Sequence, residues 1–316
     1  MIERRHILGG SLFAASAVVG PFLPPWLISL LTIAFASALV VLGLIVLWRA
    51  GLVSFGQALY YAIGAYTVAL FMRWTGIHDA FLAVILAALA AALTAFLVGF
   101  LLARYREIFF AMLSLALSMI LYGVLVKTEA LGSTDGFNVS QPTFLGYAPH
   151  GMELSIALYW YALGLGAIAA VLVGAYLRSV AGSLAIPVRD NEIRVEYLGV
   201  SATKLIHLKL VIAGTLGGVG GAIGAMAISH VDPNMSYWTT SGGFVFITIL
   251  AGAGSVAAAF VGAVVFEIVR TMSVALLPGA WQLILGTVLL LTILFLPDGI
   301  GSLFMRRRRK AQEAAQ

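Results

Sequence analysis

Cysteine is absent from the chain. Neither a disulfide framework nor a thiolate metal site can therefore be built. Charge is scarce as well: Asp, Glu, Lys and Arg make up 10% of the 316 residues. The 5 histidines are dispersed, and most lie near the ends of apolar runs. No His, Asp and Glu share a helix face at ligand spacing, which argues against a metal site. A phosphate loop of the Walker type is missing too, so any ATP must be bound elsewhere. No pattern of catalytic residues is left, and the chain is not expected to be an enzyme.

What fills the sequence is apolar. Hydrophobic residues account for 62% of it, and the mean hydropathy is +1.05. No soluble domain of this length needs so much apolar surface. The expected fold is all-α, a single polytopic membrane domain over 1–316. The net charge of +5 is not read as nucleic-acid binding, because five of the basic residues form one run, Arg306 to Lys310. That run, in a basic tail over 302–316, reads as an anchor on anionic membrane lipid. The other basic residues mostly mark span ends, where they set orientation.

Apolar runs occupy residues 7–23, 26–48, 51–71, 80–103, 108–126, 155–177, 210–229, 242–277 and 281–296. The first follows a basic head with Arg4-Arg5, which also fits a secretory signal; a retained span is preferred, because the rest of the chain is itself membrane-embedded. Gly252, Gly254 and Ser255 interrupt the run 242–277. A turnaround there makes about ten spans, and a single kinked helix makes about nine. The positive-inside rule favours ten. With a cytoplasmic N-terminus, all of the 18 basic residues except Arg73, Lys127 and Arg270 then fall on the cytoplasmic side.

Two stretches carry more polarity than a lipid-facing helix tolerates. The segment 51–71 holds Ser54, Gln57, Tyr60, Tyr61 and Tyr66 among Gly51, Gly56 and Gly64. It suits a helix packed inside a bundle or lining a path. Gly51, Ser54, Gly56, Gln57, Gly64 and Tyr66 are its candidate path residues, with helix packing as the alternative for each. Paired glycine interruptions near 51–64 and 242–262 suggest an internal repeat with a path between the halves. Glu267 and Arg270, at i and i+3, are the strong charges inside a predicted span and can pair there.

The second polar stretch, 178–209, lies between long apolar runs. Asp190 or Asn191 can cap a helix there, and Gly199 can end it. Ile193, Tyr197 and Val200 recur at i, i+4 and i+7, giving one apolar stripe that could meet a soluble partner. An ordinary solvated loop with a helical turn is the other reading of the same pattern.

Several motifs carry a resemblance. Arg189-Asp190-Asn191-Glu192-Ile193, followed by Leu198-Gly199, resembles the cytoplasmic motif of the branched-chain amino acid ABC permease family, in its LivM-like branch. Gly51, Leu52, Ser54, Gly56, Ala58, Ile63, Gly64, Ala65 and Tyr66 match an early family motif. Gly252, Gly254, Ser255 and Gly262 match a third, and the LPDGI ending a fourth. Ile186-Pro187 depart from the family, which usually has a basic residue and Ala or Gly there; Pro187 is expected to fix the approach to the helix.

The resemblance implies a permease subunit of a binding-protein-dependent importer in a bacterial-type inner membrane, with both chain ends cytoplasmic. Its implied partners are a second permease, a pair of cytoplasmic ATPases that bind the ATP, and an extracytoplasmic solute-binding protein. The helix in 178–209 would dock in an ATPase groove. Arg189, Asp190 and Glu192 would make polar contacts, Ile193, Tyr197 and Val200 the buried wedge, and Gly199 the turn back, with Asn191 and Leu198 in the same coupling motif. Loops 132–142 and 230–241 would face the binding protein. The implied cargo is branched-chain or other hydrophobic amino acids. Urea, amides or aromatic acids are alternative cargoes, and an ion-coupled secondary transporter is the alternative of another class.

Overall fold

A computed structural model describes residues 20–252, 255–296, 299 and 300. Residues 7–19 of the first expected span, the Arg4-Arg5 head, Gly254, part of the LPDGI ending and the basic tail lie outside the described residues. The described part is helical: α1 (Pro25–Trp48), α2 (Gln57–Thr75), α3 (Ala80–Leu102), α4 (Glu107–Lys127), α5 (Met152–Arg178), α6 (Val180–Ser183), α7 (Ala185–Asp190), α8 (Glu192–Tyr197), α9 (Ala202–Ile228), α10 (Trp238–Ala251), α11 (Val256–Leu276) and α12 (Trp281–Phe295). A two-stranded ribbon pairs β1 (Phe137–Asn138) with β2 (His230–Val231), antiparallel.

Among the described residues, six helices are long and apolar enough to cross a membrane: α1, α3, α4, α5, α9 and α11. Of the ten expected spans, 7–23 lies mostly outside the described residues, and three more fall short of this length or hydropathy for physical reasons. The tyrosines, Gln57 and Arg73 keep α2 below the hydropathy of the six, while α10 and α12 are short, at 14 and 15 residues.

The bundle is built around α1 and α9. α1 is apolar on every side, and such a helix belongs inside. It is buried nearly throughout from Ile28 to Leu47. α9 carries glycine on more than one face, so several backbones approach it at once. A Cβ on Gly220 would lie 2.6 Å from the Ala36 carbonyl oxygen of α1. One on Gly221 would strike the Tyr61 carbonyl of α2, and one on Gly218 the Ala91 side chain of α3. Gly43 of α1 meets Ala213 while Ala36 meets Gly220, so α1 and α9 run antiparallel.

The chain leaves the α-helical path between α1 and α2 and between α9 and α10, where Pro233–Ser236 forms one short 3-10 turn. After Trp48, residues 49–56 turn back into the bundle, and α2 begins at Gln57, beside Gly217. Gly217 lies 15 residues past the start of α9, about 22 Å along it. After Ile228, residues 229–237 descend from the other end. The two helix starts meet: Ala58 N–H donates to Ser241 Oγ at 3.0 Å. Gly252, at φ +75°, ends α10, and α11 packs back against it, with Gly262 facing Ala251. The expected break is thus a turnaround.

Charge separates between the two ends. Arg49, Arg104, Arg106, Arg178, Arg189, Arg194, Lys204 and Lys209 lie towards the end that holds α6–α8, whereas Arg73 and Lys127 lie at the opposite end. At that opposite end the loops 132–142 and 230–241 are joined by the ribbon. The His230 ring bridges Asn138 Oδ1 at 3.0 Å and the Asp135 carbonyl at 3.1 Å. Asp79 caps α3 and also accepts from Leu145 N–H. Tyr147 donates to the Glu153 carboxylate, which pushes the phenol up from its ordinary value.

A leucine at Gly221 has nowhere to go, because the obstacle is backbone. Overpacking of this kind costs about 1–3 kcal/mol or more. Gly221→Leu should lower the melting midpoint of the detergent-solubilised protein by several degrees. Gly174→Leu, on a face of α5 with nothing within 4 Å, should melt like the parent. Equal midpoints for the two would show that α9 does not hold the bundle.

Candidate functional site

Within 178–209, three short helices, not one, precede the first turns of α9. Ser179 Oγ caps α6 by accepting from Gly182 N–H at 3.3 Å. Asn191 is extended, at φ −164°, and its side chain accepts from Arg194 N–H at 3.1 Å to start α8. Of the two expected caps, Asn191 is the one used. Gly199, at φ +83°, stops the segment in a left-handed conformation that a Cβ would strain. Arg189 and Asp190 end α7, so the Asn191 break separates them from Glu192. Pro187 falls in the first turn of α7 and not at the approach to α8; there its missing N–H leaves no helical bond unmade.

This platform has two faces. Ala185, Val188 and Val195 are buried against Leu47, Leu52, Leu102, Phe110 and Ile206. Burying such side chains contributes on the order of 1.5–3 kcal/mol each. The other face presents Ile193, Tyr197 and Leu198, which are 64%, 87% and 79% exposed. Val200, expected in the same stripe, is half-buried. The sequence reading found the exposed side and missed Val195, the residue that fixes α8 to the bundle.

Polar contacts attach the platform in further places. Arg106, in the α3–α4 turn, forms an ion pair with Glu192 through Nε. Its Nη1 donates to the Ala103 carbonyl at 2.6 Å. Arg189 and Asp190 approach each other at 3.4 Å and are exposed, a pairing worth little. Gly51, at φ +76°, lies directly beneath: a Cβ there would sit 2.7 Å from Arg189 Cγ. Lys209 is fully buried in α9 and donates to Tyr176 Oη at 3.2 Å and the Ala181 carbonyl at 3.3 Å. It ties α9 to the end of α5 and to α6.

A second cluster surrounds the start of α2. The N–H groups that a helix beginning inside a bundle leaves unmatched need partners, and serines supply them. Ser114 Oγ accepts from Phe55 N–H at 3.1 Å, Ser54 Oγ from Gly56 N–H at 3.2 Å, and Ser241 Oγ from Ala58 N–H at 3.0 Å. Ser118 donates to the Ser236 carbonyl at 2.7 Å. Gly56 is pressed against the Ser114 carbonyl, 2.6 Å from where its Cβ would stand. Gln57 is fully buried, and neither end of its amide has a partner among the described residues; the Tyr60 and Tyr66 hydroxyls also lack one.

The candidate path residues are therefore divided. Ser54, Gly56 and Gln57 meet in this junction. Gly51 lies below it, and Gly64 and Tyr66 lie higher on α2, against Gly218 and Phe137. Ser114, Ser118 and Ser241 were not foreseen. Ser114 and Ser118, four apart on one face of an apolar helix, were the available signal. On the α11 side, Arg270 Nη1 donates to Glu267 Oε2 at 3.4 Å, as expected from their spacing.

Comparison with known proteins bears on the chain as a whole. A family model described as "Branched-chain amino acid transport system / permease component" matches residues 26–294. The high-affinity branched-chain amino acid transport system permease protein LivM of Salmonella typhimurium is 27% identical over 286 residues, covering 83% of this chain and 67% of that protein. LivM of Escherichia coli is 26% identical over 317 residues, covering 92% and 74%. No solved structure matches the chain. With a family model covering most of its length, the chain belongs to the permease components of branched-chain amino acid transport systems.

Proposed function

We propose that this chain is one membrane subunit of an ATP-driven, binding-protein-dependent importer of branched-chain or other hydrophobic amino acids. It would work in a bacterial-type inner membrane beside a second permease. A pair of ATPases would bind the ATP on the cytoplasmic side, and an extracytoplasmic binding protein would deliver the solute. The observation that carries this reading is the two-faced platform α6–α8: one face is fixed to the bundle, and the other leaves Ile193, Tyr197 and Leu198 uncovered. A soluble motor needs such a handle. The excess of basic residues at that end supports a cytoplasmic platform in this reading. With the segment 7–23 included, both chain ends lie there, and about ten spans result.

In this reading the ATPases push on α8, and the push leaves the platform by three routes. The Arg106–Glu192 ion pair reaches α3 and α4. Lys209 and the buried valines reach α9. Arg189 presses on Gly51, and through residues 49–56 on the start of α2. There Ser114 and Ser241 belong to separate helices, so a shift of α4 against α10 changes the wall formed by Ser54, Gly56 and Gln57. The two broken connections, 49–56 and 229–237, make the halves of an inverted repeat with the path near their meeting point.

Two outcomes follow. Glu192→Ala with Ile193→Ala should leave insertion and ATP hydrolysis of the assembled complex intact while lowering uptake at least tenfold; normal uptake would reduce the platform to a loop. Because the native chain has no cysteine, single cysteines report sidedness directly. An impermeant maleimide should label Tyr197→Cys only from the cytoplasmic side and Asp135→Cys only from the outside. The opposite pattern would overturn the orientation.

A further inference from the structure

Glu267 and Arg270 stand apart from the machinery described so far. α11 starts at Val256. At 1.5 Å per residue, Glu267 lies about 16 Å and Arg270 about 21 Å along it, within a hydrocarbon core of about 30 Å. A packing contact gives the same depth. A Cβ on Gly243 would lie 3.9 Å from the Phe266 ring, so this turn of α11 is level with the first turns of α10. The starts of α10 and α2 meet at that level, through Ser241 and Ala58.

Direction matters as much as depth. Side chains on a helix lean towards its N-terminus. Arg270 follows that lean, reaching back one turn to Glu267 at 3.4 Å. Its guanidinium therefore points towards the middle of the membrane, away from the headgroups to which an interfacial arginine would extend. Glu267 is enclosed, with 7% of its side chain exposed, whereas the Arg270 side chain is 49% exposed. A guanidinium offers five N–H donors. Among the described residues, Arg270 uses them in one long hydrogen bond. A half-bare guanidinium against lipid tails is expensive, so this face of α11 borders water or another polar surface.

We propose that Arg270 receives the carboxylate of the transported amino acid midway across the membrane, and that Glu267 is the residue that positions it. The proposal rests on the importer reading. The planar fork of arginine matches a carboxylate with two parallel hydrogen bonds, which an ammonium cannot reproduce. The buried Glu267 carboxylate holds one edge of the fork and leaves the other edge free. At rest the pair is neutral as a unit. A zwitterion passing it presents an ammonium beside its carboxylate, so neither charge has to cross alone. The contact needs to be only weak, since a transit site must release what it takes.

The test uses the whole importer in proteoliposomes, with L-leucine presented by its binding protein. Arg270→Gln should lower ATP-driven leucine uptake at least tenfold while the second permease still co-purifies. Arg270→Lys, which keeps charge without the fork, should fall between that variant and the parent. The double variant Glu267→Gln/Arg270→Gln should be as slow as Arg270→Gln alone. Parental uptake by the double variant would make the two residues a structural pair and overturn the proposal. Loss of the second permease from the Arg270→Gln complex would overturn it in favour of a subunit carboxylate. A defect seen only in vesicles of anionic lipid would overturn it in favour of a headgroup. The parent protein separates the two readings. If it imports nothing with ATP, the importer reading falls; if it and Arg270→Gln import alike, this proposal falls alone.

Discussion

Lipid tails are as apolar as leucine, so helices in a bilayer gain little by hiding apolar surface against one another. What holds this bundle is how near its backbones come. α9 meets α1, α2 and α3 across glycines whose missing side chains are replaced by carbonyls and small neighbours. At such separations dispersion contacts become dense, and weak Cα–H···O contacts become possible. α9 also spans from the platform end to the ribbon end. It is the part against which other elements can move.

That support explains how irregular backbone is tolerated at depth. A stretch such as 49–56 can exist inside a membrane only where protein surrounds it. Here Phe55 and Gly56 at its end, and Ala58 in the first turn of α2, donate to Ser114, Ser54 and Ser241, which stand in for a missing helical turn. The arrangement has a mechanical consequence. A continuous helix satisfies its own backbone and is indifferent to its neighbours. A helix whose first turn is bonded to α4 and α10 responds when either moves. The platform is the complementary case, because its buried valines and the Arg106–Glu192 pair fix it to the bundle.

Composition was enough to read the class of fold, and local pattern was enough to read the platform's cap, its stop and its exposed stripe. Asn191 and Gly199 act through bonds to residues a few positions away, which is what a linear reading resolves. The contacts that complete the site are distant. Glu192 meets Arg106 across 86 positions, and Ala58 meets Ser241 across 183. No periodicity encodes such pairings. Glycine was ambiguous for a related reason. Gly51, Gly56 and Gly64 form one motif in the sequence, yet they touch Arg189, Ser114 and Gly218 on three other elements. The same glycine pattern serves a turn, a close approach or a path, and only the neighbour decides which.

The buried polar groups fall into two kinds, and the difference bears on mechanism. The serines around α2 are satisfied, and satisfied groups favour the arrangement they are in. The Gln57 amide and the Tyr60 and Tyr66 hydroxyls have no partner among the described residues. An unmatched buried donor or acceptor costs about 1–3 kcal/mol, and proteins keep such groups where they serve something else. Each lies on α2, the helix that starts at the junction, and Arg270 on α11 has spare donors at the same depth. A transporter must hold at least two arrangements within a few kcal/mol of each other. Uncompensated polar groups on a helix bonded to two neighbours raise the free energy of this packing and narrow its gap to any other. A fully satisfied interior would be more stable and would transport nothing.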